Sequence, residues 1–503
     1  MEGREQASIK RPVFRELSTA PSPLQVFDAL FKEWRADDPP ATGRDVRHEP
    51  PALLYSGMDP SDLGRHSFIA LHPFARIVTK GREIEVADRS GSERPTVNPL
   101  DALRSLLRRY RAENVPELPP FQGGAVGYIA YELNRFIEKV PVNNPDDLQV
   151  PDIYLVLYDT VIAYDHVSGR AFVVSTGFVD KAEATVRSLT ERLEAMTPGT
   201  PPWRPPFPPP QEPSNPHDTL LATCAPSTGD PHVLTTEDYG RRVNICQEHL
   251  FAGDIYEVNF THRISRPYSG DAWELFKETT RINPAPFSAF LDHGDFWILS
   301  ASPERFFLKS GKHMACRPMK GTSMRGTTPE EDEALKKDLA ASIKDRAENL
   351  MICDLIRNDL GRICRIGSVQ VPELMVVETY TTVHQMVSNV IGELEDDKDI
   401  ADCLRALFPG GSMTGAPKIS AMCIIDDTEN VVRGIYAGCI GYIGLDGDAD
   451  MNIVIRTIVL RNGRAYVNTG GAIVADSTVK GEHEESLLKA KALLQAMANL
   501  EGV

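Results

Sequence analysis

Apolar residues recur at helical spacing through residues 23–36 (PLQVFDALFKEWRA), which predicts a first helix. Short apolar runs follow at 67–71 and 75–78, and residues 100–110 return to the helical period. Residues 121–131 (FQGGAVGYIAY) set glycines among β-forming residues. GxGxxG spacing opening a helix is missing, so this stretch is read as a strand with close backbone packing, not a dinucleotide turn. Strands near 153–164 and 171–177 and a helix near 181–196 complete a mixed N-terminal region. Ten prolines then fall between 198 and 216, a composition that suits only an extended connection. Beyond it, Tyr239, Val243, Cys246 and Leu250 form one stripe of a helix over 235–252 that stops at Gly253. Strands are predicted at 255–263, 287–291 and 296–301. A long helix over 329–362 carries Leu335, Leu339, Ile343, Ala347 and Leu350 at three- and four-residue steps. Later strands at 434–443, 451–460 and 464–468 precede a closing helix over 482–500. Strands grouped between helices, without a regular βαβ succession, indicate α+β layers.

Composition narrows the class. Of 503 residues, 42% are apolar and 25% charged, as in an ordinary globular protein. A formal charge of −17 speaks against a nucleic-acid partner, although local cations can still receive an anionic substrate. The eight cysteines include no CxxC pair, so reduced thiols are expected rather than a zinc cage. The opening 12 residues are polar and no apolar run reaches membrane-spanning length; the expectation is a cytoplasmic protein with no membrane partner.

Several stretches carry candidate chemistry. Lys320 lies between Pro318 and a Gly321-Thr322 turn, an arrangement that can hold an amine in place. Glu348 falls near the apolar stripe of the long helix, where a carboxylate needs a partner, a proton or a metal. Glu482, Glu485 and Lys489 share one face of the closing helix. Carboxylates from two helices with no Cys or His beside them suit Mg²⁺, though exposed ion pairs look the same in sequence. Residues 409–418 (PGGSMTGAPK) resemble a phosphate loop but lack GxxxxGK[ST]. Gly470, Gly471 and Ala472 follow a strand and suggest a nest of amides for a carboxylate.

Together these segments resemble the chorismate-utilising enzymes, which form anthranilate, aminodeoxychorismate or isochorismate. The matching stretches are SASPERF (300–306), RPMKGTSMRG (317–326), DRAENLMICDLIRNDLGR (345–362), FPGGSMTGAPK (408–418), RGIYAGCIGY (433–442), IVIRTIV (453–459), GGAIVADS (470–477) and EHEESLLKAKALL (482–494). The resemblance implies a layered β-sandwich of mixed, mainly antiparallel sheets flanked by helices, like that of anthranilate synthase component I. It implies an N-terminal region at 1–197 packing on the catalytic core, a Pro-rich linker at 198–217 and a chorismate-binding catalytic domain at 218–503. It further implies Mg²⁺ held by Glu348 and Glu485 against the ring carboxylate, which Gly321 and Thr322 also contact. Tyr436, Arg456 and the amides of Gly470, Gly471 and Ala472 would meet the enolpyruvyl carboxylate, and Lys489 completes the binding set.

Lys320 selects among the members. Anthranilate- and isochorismate-forming relatives typically carry alanine there, whereas aminodeoxychorismate-forming ones carry lysine. The implied reaction joins chorismate and ammonia into 4-amino-4-deoxychorismate through a Lys320 adduct at ring C2, with Glu304 as acid and then base. Ammonia would come from a separate glutamine amidotransferase subunit. The alternatives are anthranilate formation, or a non-catalytic subunit binding chorismate or an aromatic amino acid; residues 51–56 (PALLYS) loosely resemble the family's tryptophan-binding strand. Two positions depart from the pattern. Gln385 stands where a histidine is common. Glu257 stands where amine-adding members usually have glutamine and isochorismate-forming ones lysine.

Overall fold

The computed structural model describes residues 9–37, 45–58, 63–196, 234–380 and 383–501. The Pro-rich stretch expected at 198–217 lies outside them. Ladders connect 21 strands, and each named pairing is antiparallel; one isolated bridge, Lys10 with Ala112, is parallel.

Two long strands, β1 (His66–Lys80) and β2 (Ile153–Asp165), pair along their whole length and fold this network into two layers. Their register slips between Pro73 and Ala75, beside a left-handed His72 at φ 56°, which is how a strand turns from one layer into another. Residues 66–71 of β1 and 160–165 of β2 belong to a sheet continuing through Ala52–Tyr55, Phe287–Asp292, Phe296–Ser302 and Thr457–Arg461. Residues 75–79 of β1 and 153–157 of β2 lead through Gly124–Ile129, Cys439–Gly444, Ala449–Asn452, Arg305–Ser310 and His313–Cys316. Strands β3 (Glu257–Pro267) and β6 (Arg464–Ile473) close the first layer; β4 (Met319–Met324) and β5 (Val383–Glu393) close the second.

Period-two alternation explains the apolar runs. Phe68 and Ala70 pack inward with Val126, Phe296, Ile298 and Tyr442. Ile69 and Leu71 face outward onto helices that contribute Phe27, Phe31, Trp273 and Leu493. Strands covered on both faces read as continuous hydrophobic runs, and this gives the layered α+β sandwich its sequence signature. Gly127 fits the close-packing expectation: a Cβ there would lie 2.0 Å from the Tyr154 carbonyl oxygen. The strands of residues 9–196 pair with one another but form no sheet separate from the C-terminal half. Through Ala52–Tyr55 and Gly124–Ile129 they pair directly with strands of the C-terminal half.

Some elements differ from expectation. The single helix over 329–362 is two, α1 (Pro329–Ala341) and α2 (Ile343–Gly361). Ser342 separates them: its hydroxyl accepts the Asp345 amide at 3.3 Å, the bond that starts a new helix. Leu339 of the expected stripe is buried in α1, but on α2 the stripe is not the packed face. Ile343 is 87% and Leu350 50% exposed, while Ile352, Cys353 and Leu360 are buried. Residues 434–437 form a turn, with Gly434 and Ala437 both at φ 61°. The strand expected at 451–460 is interrupted ahead of Thr457–Arg461 by Arg456 at φ 48°. The exposed strand Gln370–Thr379 and its partner β5 carry few of the period signals read in the sequence. The helices Pro23–Ala36 and Thr236–Ala252 match expectation, the latter capped by Thr235 and ended by Gly253 at φ 82°. The remaining helices of importance are α3 (Lys418–Thr428) and α4 (Val479–Glu501).

Candidate active site

Lys320 sits in a strand, not a turn. Along β4, Met319 pairs with Val387 and Thr322 with Gln385, so Lys320 and Gly321 together oppose the single residue Met386. Such a bulge re-aims the side chain of the extra residue. Gly321 permits it, with φ 86° and a position where a Cβ would lie 2.8 Å from the Cβ of Asp345 in α2. The Lys320 Nζ then reaches across to β3 and donates to Glu257 Oε1 at 2.8 Å. The lysine side chain is 12% exposed and that of Glu257 0%. Burial works against the ammonium, but Glu257, Glu348 and Glu304 outweigh it and raise the Lys320 pKa.

Glu304 lies between the strands Phe296–Ser302 and Arg305–Ser310. Its amide donates to Ser302 Oγ at 3.3 Å, and its carbonyl accepts the Ile453 amide at 3.0 Å. Ser412 Oγ donates to Glu304 Oε1 at 3.0 Å. Burial nevertheless dominates and pushes this carboxyl up to about 7. The segment carrying Ser412 is fixed from behind by a buried pair, Arg433 with Glu429 at 2.6 Å. Arg433 also donates to the carbonyls of Met413 and Asn259, tying that segment to β3.

Two helices supply the carboxylates. Glu348 on α2 has a buried Oε1 with no hydrogen-bond partner, and Lys344 Nζ stands 3.9 Å away. Burial raises its pKa, with Lys320 acting in the opposite sense. Glu485 on α4 pairs with Lys489 at 2.9 Å; burial alone would raise its pKa, but Lys489, Lys344 and Lys320 together lower it. Lys320 and Lys344 act on both glutamates, so the two helices bring them to the same group of charges. No group of three or more His, Cys, Asp or Glu able to cage a metal occurs among the described residues. Two hard oxygen donors with room for water and a substrate carboxylate are the usual Mg²⁺ arrangement, and the orphaned Glu348 Oε1 is an acceptor that such an ion satisfies. The residues fit the ion.

The backbone of β6 runs beneath this cluster. A Cβ on Gly471 would stand 3.0 Å from Glu482 Oε2, 3.7 Å from Lys489 Nζ and 3.9 Å from Glu485 Oε1. Lys489 also donates to the Gly470 carbonyl at 3.0 Å. Gly470, Gly471 and Ala472 are inside β6, paired with Thr261, Phe260 and Asn259, not beyond a strand end. Successive amides of a strand point to opposite edges, so these residues form no nest; alternate amides alone can face a ligand.

The turn carrying Tyr436 is tied to the segment leading into Arg456 by the Ala437 amide, which donates to the Val454 carbonyl at 2.9 Å. Arg456 Nη1 donates to Asn283 Oδ1 at 3.2 Å, and burial lowers its pKa, with no carboxylate among the described residues to offset the cost. An arginine so placed is a ready receiver of a carboxylate. Tyr436 is buried and its hydroxyl pKa is raised by burial; Glu304 acts on it as well. Thr322 is exposed and lies opposite Gln385. Ser412, Arg433 and Glu429 were not among the residues singled out in the sequence. The serine lay inside a recognised motif, but its partner Glu304 is more than a hundred residues distant, |i−j| = 108.

A family model described as chorismate binding enzyme matches residues 51–495. Aminodeoxychorismate synthase component 1 of Bacillus subtilis (strain 168) is 38% identical over 436 residues, 86% of this chain and 89% of the relative. Anthranilate synthase component 1 of Acetivibrio thermocellus is 34% identical over 440 residues, 86% of this chain and 87% of the relative. The crystal structure of anthranilate synthase component I from Streptococcus pneumoniae TIGR4 superposes with a TM-score of 0.72 at 29% identity, covering 86% of this chain and 93% of that one.

Proposed function

The chain belongs to the chorismate-binding enzyme family, and from that premise we propose that its site converts chorismate and ammonia to 4-amino-4-deoxychorismate, on the route to para-aminobenzoate and folate. Lys320 carries this reading: a primary amine held in the site by a strand bulge, where anthranilate-forming relatives typically have alanine. Identity to aminodeoxychorismate synthase components reaches 38%, against 36% for the anthranilate synthase components, and points the same way.

Chorismate brings two carboxylates. Arg456, Tyr436 and an amide of the Gly470–Ala472 stretch receive the enolpyruvyl carboxylate; the backbone of Gly321 and Thr322 meets the ring carboxylate, and Lys489 adds positive charge nearby. Glu348 and Glu485 would hold Mg²⁺, which supplies positive charge to the ring carboxylate when bound. The free amine of Lys320 attacks C2, both ring double bonds shift (C1–C2 to C1–C6 and C5–C6 to C4–C5), and the C4–oxygen bond breaks. Glu304, in its acid form, gives the departing hydroxyl a proton and water leaves. Ammonia then adds at C4, the amine leaves C2 with its electron pair, and Glu304 takes a proton from the new ammonium. A carboxyl near 7 is present in both forms at neutral pH, as this double duty requires.

A separate glutamine amidotransferase subunit delivers the ammonia, a reading supported by the "component 1" in the relatives' names. A cytoplasmic compartment is the reading supported by the described cysteines, which are free thiols.

The test is product analysis by chromatography and mass after supplying chorismate, Mg²⁺ and an ammonium salt. The expected product is 4-amino-4-deoxychorismate, and Lys320→Arg should abolish it, because a guanidinium keeps the charge but offers no free amine. Anthranilate as the sole product, or full para-amino activity in the arginine variant, would overturn the assignment.

A further inference from the structure

The reaction as written needs Lys320 as a free amine, yet its surroundings hold it as an ammonium. The proton must go somewhere. Among the described residues, the carboxylate within ion-pair distance of Nζ is Glu257, at 2.8 Å. It is fully buried, and its second oxygen, Oε2, has no hydrogen-bond partner.

We propose that Glu257 is the general base that frees Lys320: it takes the Nζ proton before attack at C2 and returns it when the amine leaves. This rests on the reading of Lys320 given above. In the first transfer an N–H bond breaks, an O–H bond forms on Oε1, and the electron pair stays on nitrogen. An ammonium–carboxylate pair becomes an amine–acid pair, so the net charge of this buried pair does not change and no ion need be newly desolvated. The freed electron pair then makes the bond to C2 while Glu304 protonates the leaving hydroxyl. At the end the amine departs from C2 as a neutral base and recovers its proton from Glu257.

The other charges around the pair are accounted for. Glu348, Asp345 and Lys344 come from α2, Glu304 from the turn before Arg305–Ser310, and Glu485 and Lys489 from α4. On α3, Lys418 is engaged with Asp359, and Arg242 of the helix Thr236–Ala252 donates to the Thr428 carbonyl. The strand opposite Glu257, Gly415–Ala416, carries no charge.

The experiment mixes enzyme with chorismate and Mg²⁺ but no ammonia, and follows the mass gain on the Lys320 peptide with time across a pH series. Chorismate binding is titrated in parallel. Glu257→Gln should bind chorismate as the parent does, yet form the adduct about a hundred-fold more slowly at neutral pH. Its rate should climb towards the parent's as pH rises and hydroxide takes over the proton. Glu257→Asp, which keeps a carboxylate, should stay within about ten-fold of the parent. Parental adduct formation in the glutamine variant at neutral pH overturns the proposal. So does an equal deficit at every pH, or an aspartate variant as slow as the glutamine one. If the parent itself forms no adduct, the covalent role of Lys320 fails, which is a different result.

Discussion

At the residue scale, Glu304 shows how burial trades stability for reactivity. Its folded pKa of about 7 lies above the unfolded value of 4.5, so between those values the native state binds more protons than the unfolded chain. Stability from this group is therefore whole below the unfolded value and is lost as pH rises through about 7. The gap corresponds to about 3 kcal/mol at most. Glu304→Gln keeps a carbonyl oxygen for Ser412 and removes the ionisation. Calorimetry at pH 8 should find the variant melting higher than the parent, while product formation falls by about a hundred-fold or more. A lower melting temperature at pH 8 would mean that the carboxylate is not strained there. Arg456 makes a similar bargain: burial lowers its pKa, and no carboxylate among the described residues offsets the cost.

Among the elements, β4 decides the chemistry. Its bulge is what lets Lys320 and Gly321 share one partner and sends the lysine towards β3. Gly321→Ala puts a methyl group 2.8 Å from the Asp345 Cβ and demands φ 86° of an L-residue. A cost of about 1–3 kcal/mol is expected for such strain. Relief by shifting β4 would move Lys320, so kcat should fall by about ten-fold or more even at temperatures where the variant is fully folded. Circular dichroism melting paired with steady-state rates checks this, and parental kcat in a folded variant would detach the bulge from catalysis. The break at Ser342 works in the same neighbourhood. It starts α2 afresh, places Asp345 against Gly321, and lets Glu348 fall one turn later.

For the whole molecule, Ala52–Tyr55 and Gly124–Ile129, themselves held by β1 and β2, knit both halves into common layers. A fragment of residues 234–503 would lack the partners of Phe287–Asp292 and Cys439–Gly444, leaving open edges that favour aggregation. Expressed alone it should elute as aggregate on size exclusion, whereas co-expression with residues 1–196 should restore soluble material. A monomeric, cooperatively melting fragment would show that the C-terminal half stands by itself. The sequence by itself determined the helices at 23–36 and 235–252, the buried strands and the α+β class, because periodicity and caps are local. Motif order also placed Lys320, Glu304, Glu348 and Glu485 in one family. The split at Ser342, the strand setting of Gly470–Ala472 and the bulge at Lys320 were decided by the tertiary structure, since each depends on which strand or helix lies alongside. Glu257 illustrates the limit most plainly. Its identity was visible as a departure, but its contact with Lys320 spans 63 positions, and only the meeting of β3 and β4 turns a buried carboxylate into the neighbour of an amine.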